Sequence, residues 1–149
     1  MNKNDRLAIL GAGNIGASIA KGLFQAKRFS PEQVTLTRRR IHLLESFKAQ
    51  GFIVQADNSD AVRNSGIILI AVEPQRINEL LREIDSELAA ERHILISVVS
   101  GVSTKQIREQ ISKDIAIVRA MPNTAIAIGE SMTCFASNSN NRDALEVAR

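Results

Sequence analysis

The chain has 149 residues, with 19 Lys plus Arg against 16 Asp plus Glu, 44% hydrophobic residues, five Phe, and neither Trp nor Tyr. That length suits one domain with a sizeable core, while ordinary charge content and a single cysteine exclude a disordered chain, a collagen and a disulfide scaffold. A net charge of +3 with few rings for base stacking argues against nucleic acid as a partner. No apolar run nears the ~20 residues that span a bilayer, so a soluble, cytoplasmic protein without a membrane partner is expected.

Two periods alternate along the chain. Leu7 to Leu10 is a short apolar run stopped by Gly11, the pattern of a strand buried on both faces. A helix follows, with apolar positions Ile15, Ile19, Leu23 and Ala26 at three- and four-residue steps, and Ser30-Pro31 closes the unit with a turn. Val34 to Thr37 is the second strand. Ile41 to Gln50 reads as a second helix capped by Gly51, and Phe52 to Val54 as a third strand. Asp57-Asn58-Ser59 supplies capping side chains for a short helix through Ala61 and Val62.

Ile67 to Val72 carries the strongest strand signal. Glu73-Pro74 halts it and Pro74 suits the first turn of the next helix, where Ile77, Leu80, Leu81, Ile84 and Leu88 form one apolar stripe. His93 to Val99 is the next strand. Ser103 with Gln106 forms a capping box for a helix bearing Ile107 and Ile111, and Ile115 to Val118 is another buried strand. Ser131 to Ala136 reads as one more, with Cys134 packed in the core; Ser137 to Asn141 is a polar turn, and an amphipathic helix beginning at Asp143 breaks off after two turns. Parallel strands need crossovers, and these are helical and right-handed, so the alternation predicts a doubly wound α/β sheet, mainly parallel, with helices on both faces.

Gly11-Ala12-Gly13-Asn14-Ile15-Gly16 lies between the first strand and the first helix. Gly11 permits a tight turn, Gly13 lets backbone N–H groups approach a pyrophosphate, Gly16 allows helix and strand to sit close, and the helix N-terminus adds positive partial charge. These are the features of a Rossmann-type dinucleotide site. The end of the second strand reads Thr37-Arg38-Arg39-Arg40, where NAD-preferring sites carry a carboxylate. Arg38 or Arg39 can grip a 2′-phosphate, which predicts a preference for NADP(H), with NAD(H) as the less favoured partner. Residues 1–137 are thus expected to form the dinucleotide-binding domain, and 138–149 to begin a helix leading to a C-terminal helical domain outside this chain.

Ligands of such a sheet lie beyond the carboxyl ends of its strands, which singles out Ala71-Val72-Glu73, Ser100 and the run Pro122-Asn123-Thr124 on the substrate side. Acid–base groups are few. His42 falls on a helix and His93 at the start of a strand, the wrong end for chemistry, and both read as structural. No spacing suits a metal. Hydride transfer proceeds by holding cofactor and electrophile in contact, so this poverty fits a reductase whose remaining catalytic groups lie elsewhere.

Taken together, Ile9 to Gly16, Lys21-Gly22-Leu23, Asp57-Asn58, Ala71 to Gln75, Ser100-Gly101-Val102 and Arg119-Ala120-Met121-Pro122-Asn123-Thr124 resemble the pyrroline-5-carboxylate reductase family. The resemblance implies reduction of the C=N bond of 1-pyrroline-5-carboxylate, a small-molecule imine, to L-proline in proline biosynthesis. It places Gly11, Ala12, Gly13, Asn14, Ile15 and Gly16 on the pyrophosphate. It puts Thr37, Arg38 and Asn58 by the adenosine ribose and its phosphate, and Ala71, Glu73 and Ser100 by the nicotinamide, with Arg39 and Val72 added as cofactor contacts on their places beside these in the chain. It also implies a homo-oligomer built through a C-terminal domain. One position departs: the family has lysine where this chain has Glu73, and a carboxylate there repels that of the substrate by ~1 to 4 kcal/mol at ~4 Å for effective dielectrics of roughly 80 to 20. Other readings are a β-hydroxyacid dehydrogenase or ketopantoate reductase type, and a non-catalytic NADP-binding module.

Overall fold

The computed structural model describes residues 5–123, 125, 132–137 and 142–149. In chain order come β1 (Leu7–Leu10), α1 (Asn14–Gln25), β2 (Val34–Thr37), α2 (Glu45–Ala49), β3 (Ile53–Gln55), α3 (Asn58–Arg63) and β4 (Ile67–Ile70). They are followed by α4 (Ile77–Ile84), β5 (Ile94–Ser97), α5 (Thr104–Arg108), β6 (Ala116–Pro122), β7 (Thr133–Ser137) and α6 (Arg142–Ala148). The sheet order is β3-β2-β1-β4-β5-β6-β7, parallel throughout except for the antiparallel pair β6–β7. This is the doubly wound Rossmann order with one antiparallel edge strand added.

The topology decides which face each helix covers. The chain starts at the middle of the sheet, runs outward through β2 to β3, then returns to β4 and runs outward the other way; with right-handed crossovers, that reversal sends α3, α4 and α5 to the face opposite α1 and α2. Strand alternation splits the core accordingly. Leu10, Ile68, Ile70, Leu95 and Ile117 face Val62, Leu80, Leu81, Ile84 and Ile107 on one side. Ile9, Leu36, Leu69, Ile96 and Val118 face Ala20, Phe47 and Ala144 on the other. Register aligns Leu10 with Thr37 and Ile70, Ile70 with Ser97, and Ser97 with Arg119, so the carboxyl ends of five strands form one rim.

Local signals account for most elements. The α4 stripe is buried at Ile77, Leu80, Leu81, Ile84 and Leu88, each fully buried side chain contributing roughly 1.5–3 kcal/mol. Asp57 accepts from the Asp60 N–H at the start of α3, Ser103 and Gln106 close their capping box, and Gly51 takes φ +93° after α2. Pro74 opens a single 3₁₀ turn, Pro74–Arg76, ahead of α4.

Four expectations need correction. The second helix is split into a 3₁₀ turn, Ile41–Leu44, and the shorter α2, because only Leu44 and Phe47 reach the core while Ile41 and Leu43 stay exposed. On α1 the face against the sheet is Gly16 and Ala20, not the larger apolar stripe: Ile15 is 41% exposed, Ala26 is exposed, and Ile19 and Leu23 are only partly buried. Small residues let that helix approach closely, which pushes the bulky ones to its flank. Cys134 is exposed rather than in the core, since it pairs with Met121 at the sheet edge, where Met121 is itself 39% exposed. Finally, β4 stops at Ile70, whereas β6 runs on to Pro122 because β7 pairs alongside it and extends to Ser137. Residues 138–141 and Ser131 lie outside the described residues. Beyond them α6 packs onto β6 and β7, with Ala144 fully buried.

Among the described residues, no helix is long and apolar enough to cross a membrane.

Candidate functional site

The glycine loop is held from below by β2 and from the side by β4. Ala12 N–H donates to the Thr37 carbonyl (2.8 Å), Gly11 N–H to Thr37 Oγ1 (3.3 Å), and Arg38 Nη1 to the Ala12 carbonyl (3.3 Å). Gly11 sits at φ +90°, and a Cβ there would lie 2.7 Å from Val72 Cγ1 and 3.0 Å from the Ala71 carbonyl. Backbone conformation and packing thus both demand glycine. A Cβ on Gly16 would meet the Gly11 carbonyl oxygen at 2.8 Å, so that glycine sets the close approach of α1 to the loop.

Gly13 differs in kind. A Cβ at this position would have nothing within 4 Å, so the protein's own packing does not explain the glycine. Gly13 is also the N-cap of α1, with no side-chain cap bond and no acidic residue in the first turn. The first amides of a twelve-residue helix therefore point outward with the positive end of its dipole and no internal anion to satisfy them. An open cradle at a helix N-terminus fits a phosphate group.

Beside the loop lies a small cleft of about 40 Å³, lined by Gly11, Thr37, Arg38, Arg39, Ala56, Asn58, Val72, Arg76, Glu79, Leu80 and Glu83. The structure thereby brings Gly11, Thr37, Arg38, Arg39, Asn58 and Val72 to one place from four separate segments. Arg39 reaches Glu79 at 3.8 Å with both side chains about 70% exposed, an arrangement that leaves the guanidinium nearly free in water. Arg76 has its Nε buried without a partner. Arg76, Glu79 and Glu83 are not singled out by the sequence reading, and Leu80 figures there only in the apolar stripe, although their spacing of three, four and seven puts them on one helical face at the carboxyl rim.

Ala71 and Val72 adjoin Gly11, and Ala71 N–H donates to the Leu10 carbonyl (2.9 Å). Glu73 is exposed and its carboxylate accepts from Gln75 Nε2 (2.9 Å), so solvent screens the charge that departs from the family pattern. Ser100 is exposed just past β5, next to Gly101 at φ +73°. Pro122 ends β6, and the exposed Asn123 uses Oδ1 to accept the Ala125 N–H (3.1 Å), closing an Asx turn. Thr124 lies outside the described residues. His93 is far from this rim, at the amino ends of the strands: Nδ1 accepts from Ala89 N–H (2.9 Å) and Nε2 contacts the Ser65 carbonyl (3.1 Å). Burial, then the Arg92 charge, holds its pKa below the ordinary imidazole range. His42 is exposed. Among the described residues no group of three His, Cys, Asp or Glu could hold a metal.

The family described as NADP oxidoreductase, coenzyme F420-dependent, matches residues 6–101. Pyrroline-5-carboxylate reductases 1 and 2 of Dictyostelium discoideum are 43% and 40% identical over 96% and 95% of this chain, covering 28% and 48% of their own lengths. The solved pyrroline-5-carboxylate reductase of Coxiella burnetii superposes with a TM-score of 0.90 at 29% identity, over 99% of this chain and 54% of that one. The Plasmodium falciparum pyrroline carboxylate reductase, solved with NADP bound, gives 0.84 at 25% identity over 99% and 54%. The chain thus spans about half, or less, of the length of these relatives.

Proposed function

The chain belongs to the coenzyme F420-dependent NADP oxidoreductase family, and from that premise we propose that it is the cofactor-holding part of an NADPH-dependent pyrroline-5-carboxylate reductase. The observation that carries the reading is Gly13: a glycine that no neighbour requires, at an uncapped helix N-terminus, beside a cleft rimmed by arginines. Bound there, the nicotinamide cofactor supplies a hydride for the carbon of a C=N bond. The residues of this chain bind and orient. Gly13 leaves room for the pyrophosphate, which the amides of Asn14 to Gly16 take, the Gly13 N–H itself being given to the Gly11 carbonyl (2.8 Å). Arg38 and Arg39 take the 2′-phosphate, and Ala71, Val72, Glu73 and Ser100 border the nicotinamide. Arg39 needs only to leave an exposed partner at 3.8 Å, so its move to a phosphate costs little. Pro122 and Asn123 form the substrate side of the rim, where a small imine carboxylate is reduced to L-proline, and the sequence assigns Thr124 to the same task. The protein works in solution as a homo-oligomer and needs no nucleic acid, membrane or metal. The relatives' names support the substrate class.

Calorimetric titration tests the cofactor. NADPH binds more tightly than NADH, and Arg38→Ala with Arg39→Ala removes most of that difference; equal affinities in the unmodified protein end the NADP assignment. Gly13→Ala is the sharper variant. At φ −80° alanine fits the free fold, so thermal stability stays the same while NADPH affinity drops at least tenfold. Undiminished affinity in Gly13→Ala sinks the reading. NADPH oxidation in the presence of 1-pyrroline-5-carboxylate, compared with a cyclic ketone, tests the substrate.

A further inference from the structure

Two side chains in the cleft are spent on each other rather than offered outward. Thr37 is 1% exposed; its hydroxyl donates to Asn58 Oδ1 (2.6 Å) and accepts from Gly11 N–H (3.3 Å). Asn58 Nδ2 donates to both Glu83 oxygens, at 3.2 Å each, and Ser59 Oγ donates to the Glu83 carbonyl (3.2 Å). The result is an unbroken file of hydrogen bonds, Glu83 to Asn58 to Thr37 to Gly11, running from the exposed surface of α4 to the first glycine of the phosphate loop.

The direction of that file depends on Glu83. A carboxylate accepts only, so it draws the Asn58 amide toward α4 and leaves the Asn58 carbonyl facing Thr37. The Thr37 proton must then point to Asn58, which frees an oxygen lone pair for the Gly11 N–H. Turned the other way, Asn58 would present its NH₂ to Thr37, and the buried hydroxyl proton would lose its acceptor, at the penalty of an unsatisfied buried donor. We infer that Glu83 is a positioning residue: a remote carboxylate whose charge sets the polarity of the Asn58–Thr37 pair and thereby holds Gly11 in the conformation that receives the cofactor's phosphates. This rests on the cofactor reading for its functional consequence, but not for the relay itself.

The test therefore has two readouts, one without ligand. In the cofactor-free protein, hydrogen exchange of the Gly11 amide, followed by NMR, speeds up about tenfold in Glu83→Ala. It returns to within about threefold of the parent in Glu83→Gln, whose amide oxygen still accepts from Asn58, and is fastest in Glu83→Lys, which cannot accept at all. NADPH affinity follows the same order, with a fivefold or greater loss in Glu83→Ala. In a double-mutant cycle Glu83→Ala adds nothing to Thr37→Val, whereas two independent structural roles would add. Gly11 exchange unchanged within twofold in both Glu83→Ala and Glu83→Lys overturns the inference, whatever the cofactor affinities. A normal exchange response in a protein that binds no NADPH upholds the relay and overturns the cofactor reading instead.

Discussion

The two faces of the sheet share the same strands yet differ in how they are closed. On one face α3, α4 and α5 lie over β1, β4, β5 and β6 and bury a continuous core, with Leu81, Ile84, Leu95, Ile107 and Ile117 each 0% exposed. On the other, α1 and α2 serve β1 to β3, and among the described residues no crossover helix lies over β4 to β6 and only α6 returns there. An apolar groove of about 460 Å³ remains between α1 and α6, floored by Leu69, Ile96, Val98 and Ala120 and walled by Ile19, Leu23 and Val147. The contrast teaches that connection order, not apolar content, decided where packing is complete. The site straddles the reversal point: its loop is anchored on the closed side by Val72 and the α4 face, and its helix flank borders the open side.

Truncation on the two faces tests this most strongly. Leu81→Ala leaves a cavity in a sealed core and costs about 2–5 kcal/mol, whereas Ile19→Ala only enlarges an existing groove and costs about 1 kcal/mol. Urea midpoints measure both, and equal losses would mean the groove is closed in solution. The closed face carries a pH-dependent element at its amino end. His93 is neutral when folded, with a pKa below the unfolded value of about 6.5, so the unfolded chain takes up the proton first. Stability is therefore fully present above pH 6.5 and declines as pH falls from there toward the depressed folded value, by at most about 1.4 kcal/mol per pH unit. Urea unfolding between pH 7.5 and 5.5 should show that decline, and His93→Gln should flatten it.

A smaller effect sharpens the picture of the open side. Gly22 is mid-helix on α1 and lines the groove, and a Cβ there meets nothing within 4 Å. Gly22→Ala stabilises by roughly 0.5–1 kcal/mol through helix propensity, read as a rise in Tm. Smallest is Cys134→Ser at the exposed sheet edge, expected within about 0.5 kcal/mol of the parent. A larger loss would show that the edge is covered.

Much of this was legible from the residues. Gly11 and Gly16 were identified with their reasons, and Gly51, Asp57, Ser103 and the α4 stripe stand where the pattern put them. The placement of Cys134 failed because alternation on an edge strand tells which residues share a face but not whether anything covers that face. Ile15 failed because periodicity marks an apolar stripe without saying that Gly16 and Ala20, one position over, allow closer contact. Glu83 has no local signal that separates it from other charges on a helix, and only the packing of α4 against α3 sets it beside Asn58.

From the residues alone came the alternation of periods, the turn at Gly11, the arginines after β2 and hence the class of fold, since these rest on local conformational preference and short-range spacing. The tertiary structure decided that Gly13 faces open space, that Thr37 is committed to Asn58, that Glu83 stands behind both, and that one sheet face keeps a groove. Those depend on contacts between segments dozens of residues apart, whose meeting is fixed by the order in which strands are laid into the sheet.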